Sequence, residues 1–211
     1  KRKSNNPAPV EFSAGFVALK EPALLTLGLV ALFYNFGFFT LLAYSPYPIE
    51  EAASLAGKDF GAIELGFVFF GWGLTLAISS VFLAPRLVQW LGLFPVLNLI
   101  LGGFGVLLAC LGFAALHLTA VVTLVIIAGI FIGVFNTVLT EAVMEATHLP
   151  RNVASSTYSG LRFLGGAIAP AVSGPLAAAL GAGVPYWFGA ASLVLSLAIL
   201  LVGKRNLGRL A

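Results

Sequence analysis

Residues 120–140 read AVVTLVIIAGIFIGVFNTVLT, an unbroken run without a charged side chain. An α-helix needs about 20 consecutive apolar residues to span the hydrocarbon core of a bilayer. Lipid offers the backbone no hydrogen-bond partner, so such a run must satisfy its own amides and folds as a helix. The run also lacks the alternation of apolar and polar residues that is typical of strands in a membrane barrel. This stretch therefore predicts a transmembrane helix.

The same pattern recurs along the chain. Of the 211 residues, 60% are hydrophobic and 9% are charged, and the mean hydropathy is +1.04. A soluble domain carries about 25% charged residues, so this chain has too few to cover a surface in water. We predict an all-α membrane protein whose residues 21–203 form a six-helix transmembrane bundle. The predicted spans are 22–45, 63–84, 95–115, 120–144, 153–180 and 184–203.

Polar segments flank and connect these spans. Residues 1–20 predict a cytoplasmic linker with a short amphipathic helix, residues 46–62 a longer loop, and residues 204–211 a cytoplasmic tail. The span 153–180 contains several helix-breaking residues, so it is either one kinked helix or two shorter pieces. The candidates for bending this helix are Gly165, Gly166, Pro170, Gly174 and Pro175.

The distribution of basic residues predicts the orientation and favours a single helix over 153–180. Cytoplasmic loops carry an excess of Lys and Arg. With six spans, one side of the membrane receives only Lys58. The other side receives Lys1, Arg2, Lys3, Lys20, Arg86, Arg151, Lys204, Arg205 and Arg209. We therefore expect a multi-pass protein of the cell membrane with both termini in the cytoplasm.

Several classes of function are disfavoured. The basic residues form short clusters between apolar runs, without the basic stripe that nucleic-acid binding requires. Cys110 is the single cysteine, so no disulfide or cysteine-based metal site can form within the chain. His117 and His148 fall at opposite membrane faces and cannot share a metal. With no catalytic motif present, we expect no enzyme activity, no metal, no cofactor and no nucleic-acid partner.

Three stretches carry a family resemblance. They are YNFGFFTLLAYSPYP at 34–48, FLAPRLVQWLG at 82–92 and GLRFLGGAIAPAVSGPLAAALG at 160–181. Through these stretches and their positions along the chain, the sequence resembles the C-terminal half of a major facilitator superfamily transporter. That half comprises helices seven to twelve of twelve. More narrowly, the chain is similar to the bacterial drug:proton antiporters of that superfamily.

Two of these stretches match the family in part. The segment 82–92 sits where the family repeats a cytoplasmic loop motif, although Pro85 stands near the position of the motif's Asp. The resemblance places Arg86 among the charges linked to gating. Gly174 and Pro175 look like a weakened copy of the antiporter Gly-Pro signature.

The resemblance implies half of a 12-helix fold in which substrate crosses between two six-helix bundles by alternating access. The implied function is proton-coupled efflux of drugs or other small amphipathic organic molecules. The implied partners are the lipid bilayer, a small organic substrate, protons and the missing N-terminal six-helix half. A transporter of a metabolite such as a sugar or siderophore, and a non-transporting scaffold or assembly subunit, remain open alternatives.

Charged residues inside the predicted helices are the first candidate site residues, because a charge at the bilayer centre is costly. Glu141 and Glu145 are four residues apart and share a helix face with Gly133 and Thr137. Arg162 lies in the next helix. We expect a Glu141–Arg162 pair, or Glu145 with Arg151 nearer the surface. Such a pair would act as a gate or proton-linked switch, or would simply hold the charges in place.

Polar and aromatic residues in the same helices are candidates for a substrate cavity. Asn35 and Asn136 are uncharged polar groups within apolar runs, and aromatic residues crowd the first two spans. Aromatic faces suit bulky organic molecules and cations. The predicted cavity residues are Tyr34, Asn35, Phe38, Phe70, Asn136 and Arg162.

Overall fold

The computed structural model describes residues 17–208 and residue 210. In this part of the chain the helices are α1 (Pro22–Tyr44), α2 (Pro46–Leu55), α3 (Ala62–Leu91), α4 (Leu93–Ala114), α5 (Leu118–Ala146), α6 (Arg151–Leu180) and α7 (Val184–Leu207). All except α2 are long and apolar enough to cross a membrane. The described residues form no strand. The predicted fold class, an all-helical six-helix bundle of a multi-pass membrane protein, is confirmed.

Proline and glycine set many of the helix boundaries. Pro22, Pro46 and Pro185 stand in the first turns of α1, α2 and α7. Proline is tolerated there because the first helical N–H groups have no partner within the helix. Gly92, with φ of 83°, separates α3 from α4, and Gly181, with φ of 108°, follows α6. Residues other than glycine rarely adopt these angles.

The predicted loop at 46–62 is wrong in its first half, which forms α2. The charged residues of this segment favoured a loop, but its first prolines fall in the first turn of a helix, where they are accepted. Pro48, Ile49, Ala52 and Ala53 are buried on one face of α2. Of the predicted linker 1–20, residues 1–16 lie outside the described residues.

The helix α3 continues past the end predicted for it at residue 84. A π-helical turn at Ser79–Leu83 precedes Pro85, and regular helix follows to Leu91. A π turn shifts the hydrogen-bond pattern by one residue and is a known cause of local bending. The segment that resembles a loop motif is therefore mostly helical in this structure.

The helix α6 is a single continuous helix, as the charge distribution favoured. It contains Pro170 and Pro175 without a break. Each proline lacks the N–H that would bond the carbonyl four residues earlier. Gly165 and Gly166, which were also candidates for bending this helix, lie against α1, beside the Leu32 carbonyl and the Phe39 ring.

The six long helices form two layers. The front layer has the order α6, α1, α5, α3, because α1 packs on α6 and α5, and α5 packs on α3. Behind it, α7 packs on α1 and α4, and α4 packs on α5. Of the long helices, α1 is the most buried, while α3 and α6 at the ends of the front layer are the least buried. The front layer therefore presents a broad open face.

Candidate functional site

Three polar side chains from three helices meet in the front layer. The Arg162 guanidinium of α6 donates from Nη2 to Oδ1 of Asn136 in α5 at 3.1 Å. Its Nε donates to Oδ1 of Asn35 in α1 at 3.5 Å. Asn35 is fully buried, whereas Asn136 and Arg162 are partly exposed. We call these three residues the Arg162 cluster; it links α1, α5 and α6.

The Arg162 cluster lies near the middle of the predicted membrane. Asn35 is 13 residues into α1, Asn136 is 10 residues from the end of α5, and Arg162 is 11 residues into α6. At 1.5 Å per residue, these positions are roughly 15–20 Å from the basic end of the bundle. The hydrocarbon core is about 30 Å thick. In the predicted membrane placement, the charge of Arg162 therefore lies deep within the hydrocarbon core.

An aromatic wall adjoins the cluster. Tyr34, next to Asn35, has its ring centroid 4.0 Å from that of Phe135 and 6.3 Å from that of Phe38. Phe38 stacks in turn against Trp72 of α3, with centroids 6.2 Å apart and an interplanar angle of 16°. The wall thus extends from the polar cluster across α1 and α5 to α3.

Several buried polar atoms beside the cluster have no protein partner among the described residues. Among them are the Tyr34 hydroxyl, the Asn35 Nδ2 and the Trp72 Nε1. A buried polar group without a hydrogen bond costs about 1–3 kcal/mol. All three can donate a hydrogen bond, so this region offers donors to water or to a ligand.

The structure brings together five of the six predicted cavity residues and separates one. Tyr34 and Phe38 lie in the aromatic wall, and Asn35, Asn136 and Arg162 form the cluster. Phe70 is not part of this arrangement, since 68% of it is exposed. Trp72, two residues later, occupies the place expected for Phe70. A role in transport for the six predicted cavity residues stays a prediction.

The expected Glu141–Arg162 pair is not formed. The structure records Arg162 bonded to two amides, with no ion pair to Glu141 within the described part of the chain. Glu141 is exposed. Asn136 and Glu141 are five positions apart, which places their side chains about 140° apart around the helix. When Asn136 points at Arg162, Glu141 cannot.

The face of α5 that carries Glu141 packs instead against α3. The Ser80 and Thr137 hydroxyls of α3 and α5 lie 2.7 Å apart. Thr75 of α3 donates to the Ile126 carbonyl at 2.7 Å. A side chain at Gly133 would collide with the backbone of α3. The polar stripe therefore serves helix contact along most of its length.

The remaining candidate charges lie at the basic end of the bundle. Glu145 and Arg151 are both exposed, and no ion pair joins them where the structure describes them. Arg86 is also exposed and donates from Nη1 to the carbonyl of Phe82, one turn earlier in α3, at 2.9 Å. None of the three reaches the Arg162 cluster, and a gating role for Glu145 and Arg86 stays a prediction.

Two residues of this region, Trp72 and Tyr158, were not predicted from the sequence as site residues. Trp72 was not distinguished from the other aromatic residues of α3. Tyr158 is buried one turn before Arg162 on the same face of α6, close to its guanidinium. Spacing of four residues from a charged residue within a helix was the available signal for Tyr158.

A curated protein is similar to most of this chain. No protein family model matches the chain. The chain is 41% identical over 190 residues to the multidrug efflux protein YfmO of Bacillus subtilis (strain 168). The alignment covers 90% of this chain and 46% of that protein, so the chain spans about half the length of the curated relative it matches.

Proposed function

We propose that this chain is the C-terminal half of a major facilitator superfamily transporter that exports drugs or other small amphipathic organic molecules. The observation that carries the proposal is a membrane-buried arginine without a carboxylate partner among the described residues, bonded only to Asn35 and Asn136. The printed name of the 41% identical relative, a multidrug efflux protein, supports export as the direction and drugs as the substrate class.

The energetic cost of Arg162 favours a functional role over packing. A charge at the centre of a membrane helix costs about 2.5–3.5 kcal/mol on insertion scales. Hydrogen bonds between membrane helices average about 0.6 kcal/mol. Two amide contacts therefore offset only part of the cost, and an apolar residue would pack these helices more stably. Retaining the charge is reasonable where substrate, water or a further carboxylate meets it.

The surroundings of the cluster suit an amphipathic molecule. The wall of Tyr34, Phe38, Phe135 and Trp72 presents ring faces to apolar or aromatic groups. The unpaired donors and the guanidinium lie directly beside it. A ligand with an apolar body and a polar or anionic end would satisfy both. Binding sites of this composition, with a few polar groups in an apolar pocket, are common for small molecules.

The open face of the front layer is where we place the N-terminal six-helix half. The helices α3 and α6 are the least buried of the long helices, and they flank this face. Substrate would then cross between the two halves near the midplane, as in transporters built from repeated bundles. The protein would lie in the cell membrane with both termini cytoplasmic, because the basic residues gather at that end.

Proton coupling requires a carboxylate that pairs with Arg162 in one state and is protonated in another. Protonation removes the negative charge and with it the attraction to the guanidinium. Glu141 points away from Arg162 on α5, and Glu145 is exposed nearer the basic end of the bundle. We propose that the carboxylate comes from the N-terminal half or from the substrate, and that the two glutamates act at the cytoplasmic exit.

A dye accumulation assay tests export and coupling together. Cells that express the intact gene should retain less of a fluorescent amphipathic dye than cells with an empty vector, and an uncoupler should abolish the difference. Dye levels that stay low in the presence of the uncoupler would remove proton coupling from the proposal. Equal dye levels with and without the gene, repeated across a panel of drugs, would contradict export.

A further inference from the structure

A groove of about 730 Å³ lies between the start of α1 and the end of α7, outside the proposed substrate path. Its length is apolar, and its walls are formed by Leu25, Leu29, Leu195, Ala198, Ile199 and Val202. Leu25, Leu195 and Val202 are exposed. Because these three side chains are exposed and belong to helices that can cross a membrane, we infer that the groove faces the lipid. An apolar groove of this kind fits a hydrocarbon chain.

One end of the groove is polar and positively charged. Lys20, two residues before α1, and Asn206, near the end of α7, both line it. The Asn206 Nδ2 donates to the Thr26 hydroxyl at 3.2 Å, which fixes the amide at the mouth. Both residues stand where the helices leave the predicted membrane. A lysine and an amide N–H at that depth suit the phosphate of a lipid headgroup.

No acidic side chain lines this groove among the residues that the structure describes. The neighbouring Glu21 turns away, and its Oε1 accepts a hydrogen bond from the backbone N–H of His148 at 3.1 Å. Glu21 and His148 line a separate cavity. The charge of Lys20 is therefore not neutralised by the carboxylate beside it in sequence.

Other basic residues reinforce the positive potential of this end. Arg205 is exposed next to Asn206. Lys204 turns toward α4, with its ammonium 5.2 Å from the centroid of the Phe94 ring. Of the described basic residues at this end, Lys20 is the one that lines the groove itself.

We propose that this groove binds an anionic phospholipid of the phosphatidylglycerol class. One acyl chain lies along the apolar walls, and the phosphate sits between Lys20 and Asn206. The negative headgroup complements Lys20, whereas a zwitterionic lipid would bring a cation of its own to the same place. This binding holds α1 to α7 at the basic end of the bundle, and it does not depend on what the protein transports.

A lipid titration of the purified intact protein tests this site. Phosphatidylglycerol added to the protein in detergent should raise the thermal unfolding temperature more than phosphatidylcholine does. Lys20→Gln should raise the half-saturating lipid concentration roughly fivefold, as expected for the loss of one lysine at the membrane surface. Lys58→Gln, at the opposite end, is the matched control and should respond as the wild type does.

A second variant tests the acyl chain independently of charge. Ala198→Phe places a ring in the groove while Lys20 remains, and it should reduce the effect of phosphatidylglycerol to that of phosphatidylcholine. Equal effects of the two lipids on the wild type would overturn the proposal, as would a Lys20→Gln variant that responds like the wild type. Stabilisation by inorganic phosphate to the same extent would assign the site to a free anion and exclude the lipid.

Discussion

Replacing Arg162 by alanine should reduce the initial rate of export by at least about tenfold. The change removes the guanidinium that bonds Asn136 at 3.1 Å and Asn35 at 3.5 Å, and it leaves both amides without this partner. In the proposed function the guanidinium also bonds the polar or anionic end of the substrate, and a hydrogen bond to a charged group contributes about 1.5–3 kcal/mol, which corresponds to roughly 10–100-fold in a rate or affinity. The measurement is dye efflux from preloaded cells, normalised to the amount of protein in the membrane.

Two control variants separate the site from general effects of charge. Arg151→Ala removes an exposed arginine at the start of the same helix and should leave the efflux rate within about twofold of the wild type, since exposed charges contribute little. Arg162→Lys keeps the charge but loses the planar geometry that reaches two amides at once, so it should restore only part of the rate. If Arg162→Ala exports as fast as Arg151→Ala, the cluster is not part of the substrate path.

Replacing Gly165 by alanine should destabilise the bundle even though alanine is the better helix former. A methyl group at Gly165 would meet the carbonyl and Cα of Leu32, which belong to the backbone of α1 and cannot rotate away. Overpacking of this kind costs about 1–3 kcal/mol. We expect a lower thermal unfolding temperature in detergent and a smaller yield of monodisperse protein.

Gly160 provides the matched control on the same helix. Nothing lies within 4 Å of the position that a methyl group would take at Gly160. Gly160→Ala should therefore be neutral or stabilising, by up to about 1 kcal/mol from the lower conformational entropy of the unfolded chain. We expect Gly165→Ala to lower the unfolding temperature and Gly160→Ala to leave it unchanged or raise it. Two variants with the same unfolding temperature would show that α1 and α6 do not approach as closely as described.

Much of the architecture could be predicted from the sequence because lipid imposes a simple rule. Each span needs a long apolar run, and residues 120–140 already meet that requirement. Two local departures from this rule, the helix α2 and the π turn in α3, were harder to predict. The prolines that begin α2 look the same in a loop as in a first helical turn, and Pro85 is accommodated by the π turn at Ser79–Leu83, which leaves no signal in composition.

The cluster was only partly predictable, for a geometric reason. Asn35, Asn136 and Arg162 stood out as polar groups in apolar runs, and the structure brings them together. The predicted partner of Arg162, Glu141, is wrong, because the depth and charge of a residue do not determine which neighbouring helix its side chain faces. Depth follows from residue number, but the direction of a side chain around the helix axis depends on which neighbours the helix packs against.

The direction of side chains was equally unpredictable for the aromatic wall. Phe70 and Trp72 are two residues apart and point to faces about 160° apart. Both lie in a helix with aromatic residues on several sides, so composition does not indicate which side faces inward. Two glycines of α5 determine which side of α3 faces the bundle. Gly129 and Gly133 allow the backbone of α3 to approach closely, and in this packing Trp72 faces Phe38.

The central claim is that the Arg162 cluster borders a path that water and substrate can reach, and cysteine labelling tests it most directly. Thr140 is exposed one turn from Asn136, and its hydroxyl donates to the Asn136 carbonyl at 2.7 Å. Thr140→Cys, made in a Cys110→Ser background, replaces this hydroxyl by a thiol of similar size and leaves the cluster in place. Ile127→Cys, on a partly exposed position of the same helix, is the control.

A water-soluble thiol reagent reacts with the thiolate, which forms only where water is present. Thr140→Cys should be labelled in membranes, and a transported drug should slow the labelling, while Ile127→Cys stays unlabelled. Labelling of Thr140→Cys at the same rate with and without any drug, or no labelling in either case, would contradict a substrate path beside Arg162.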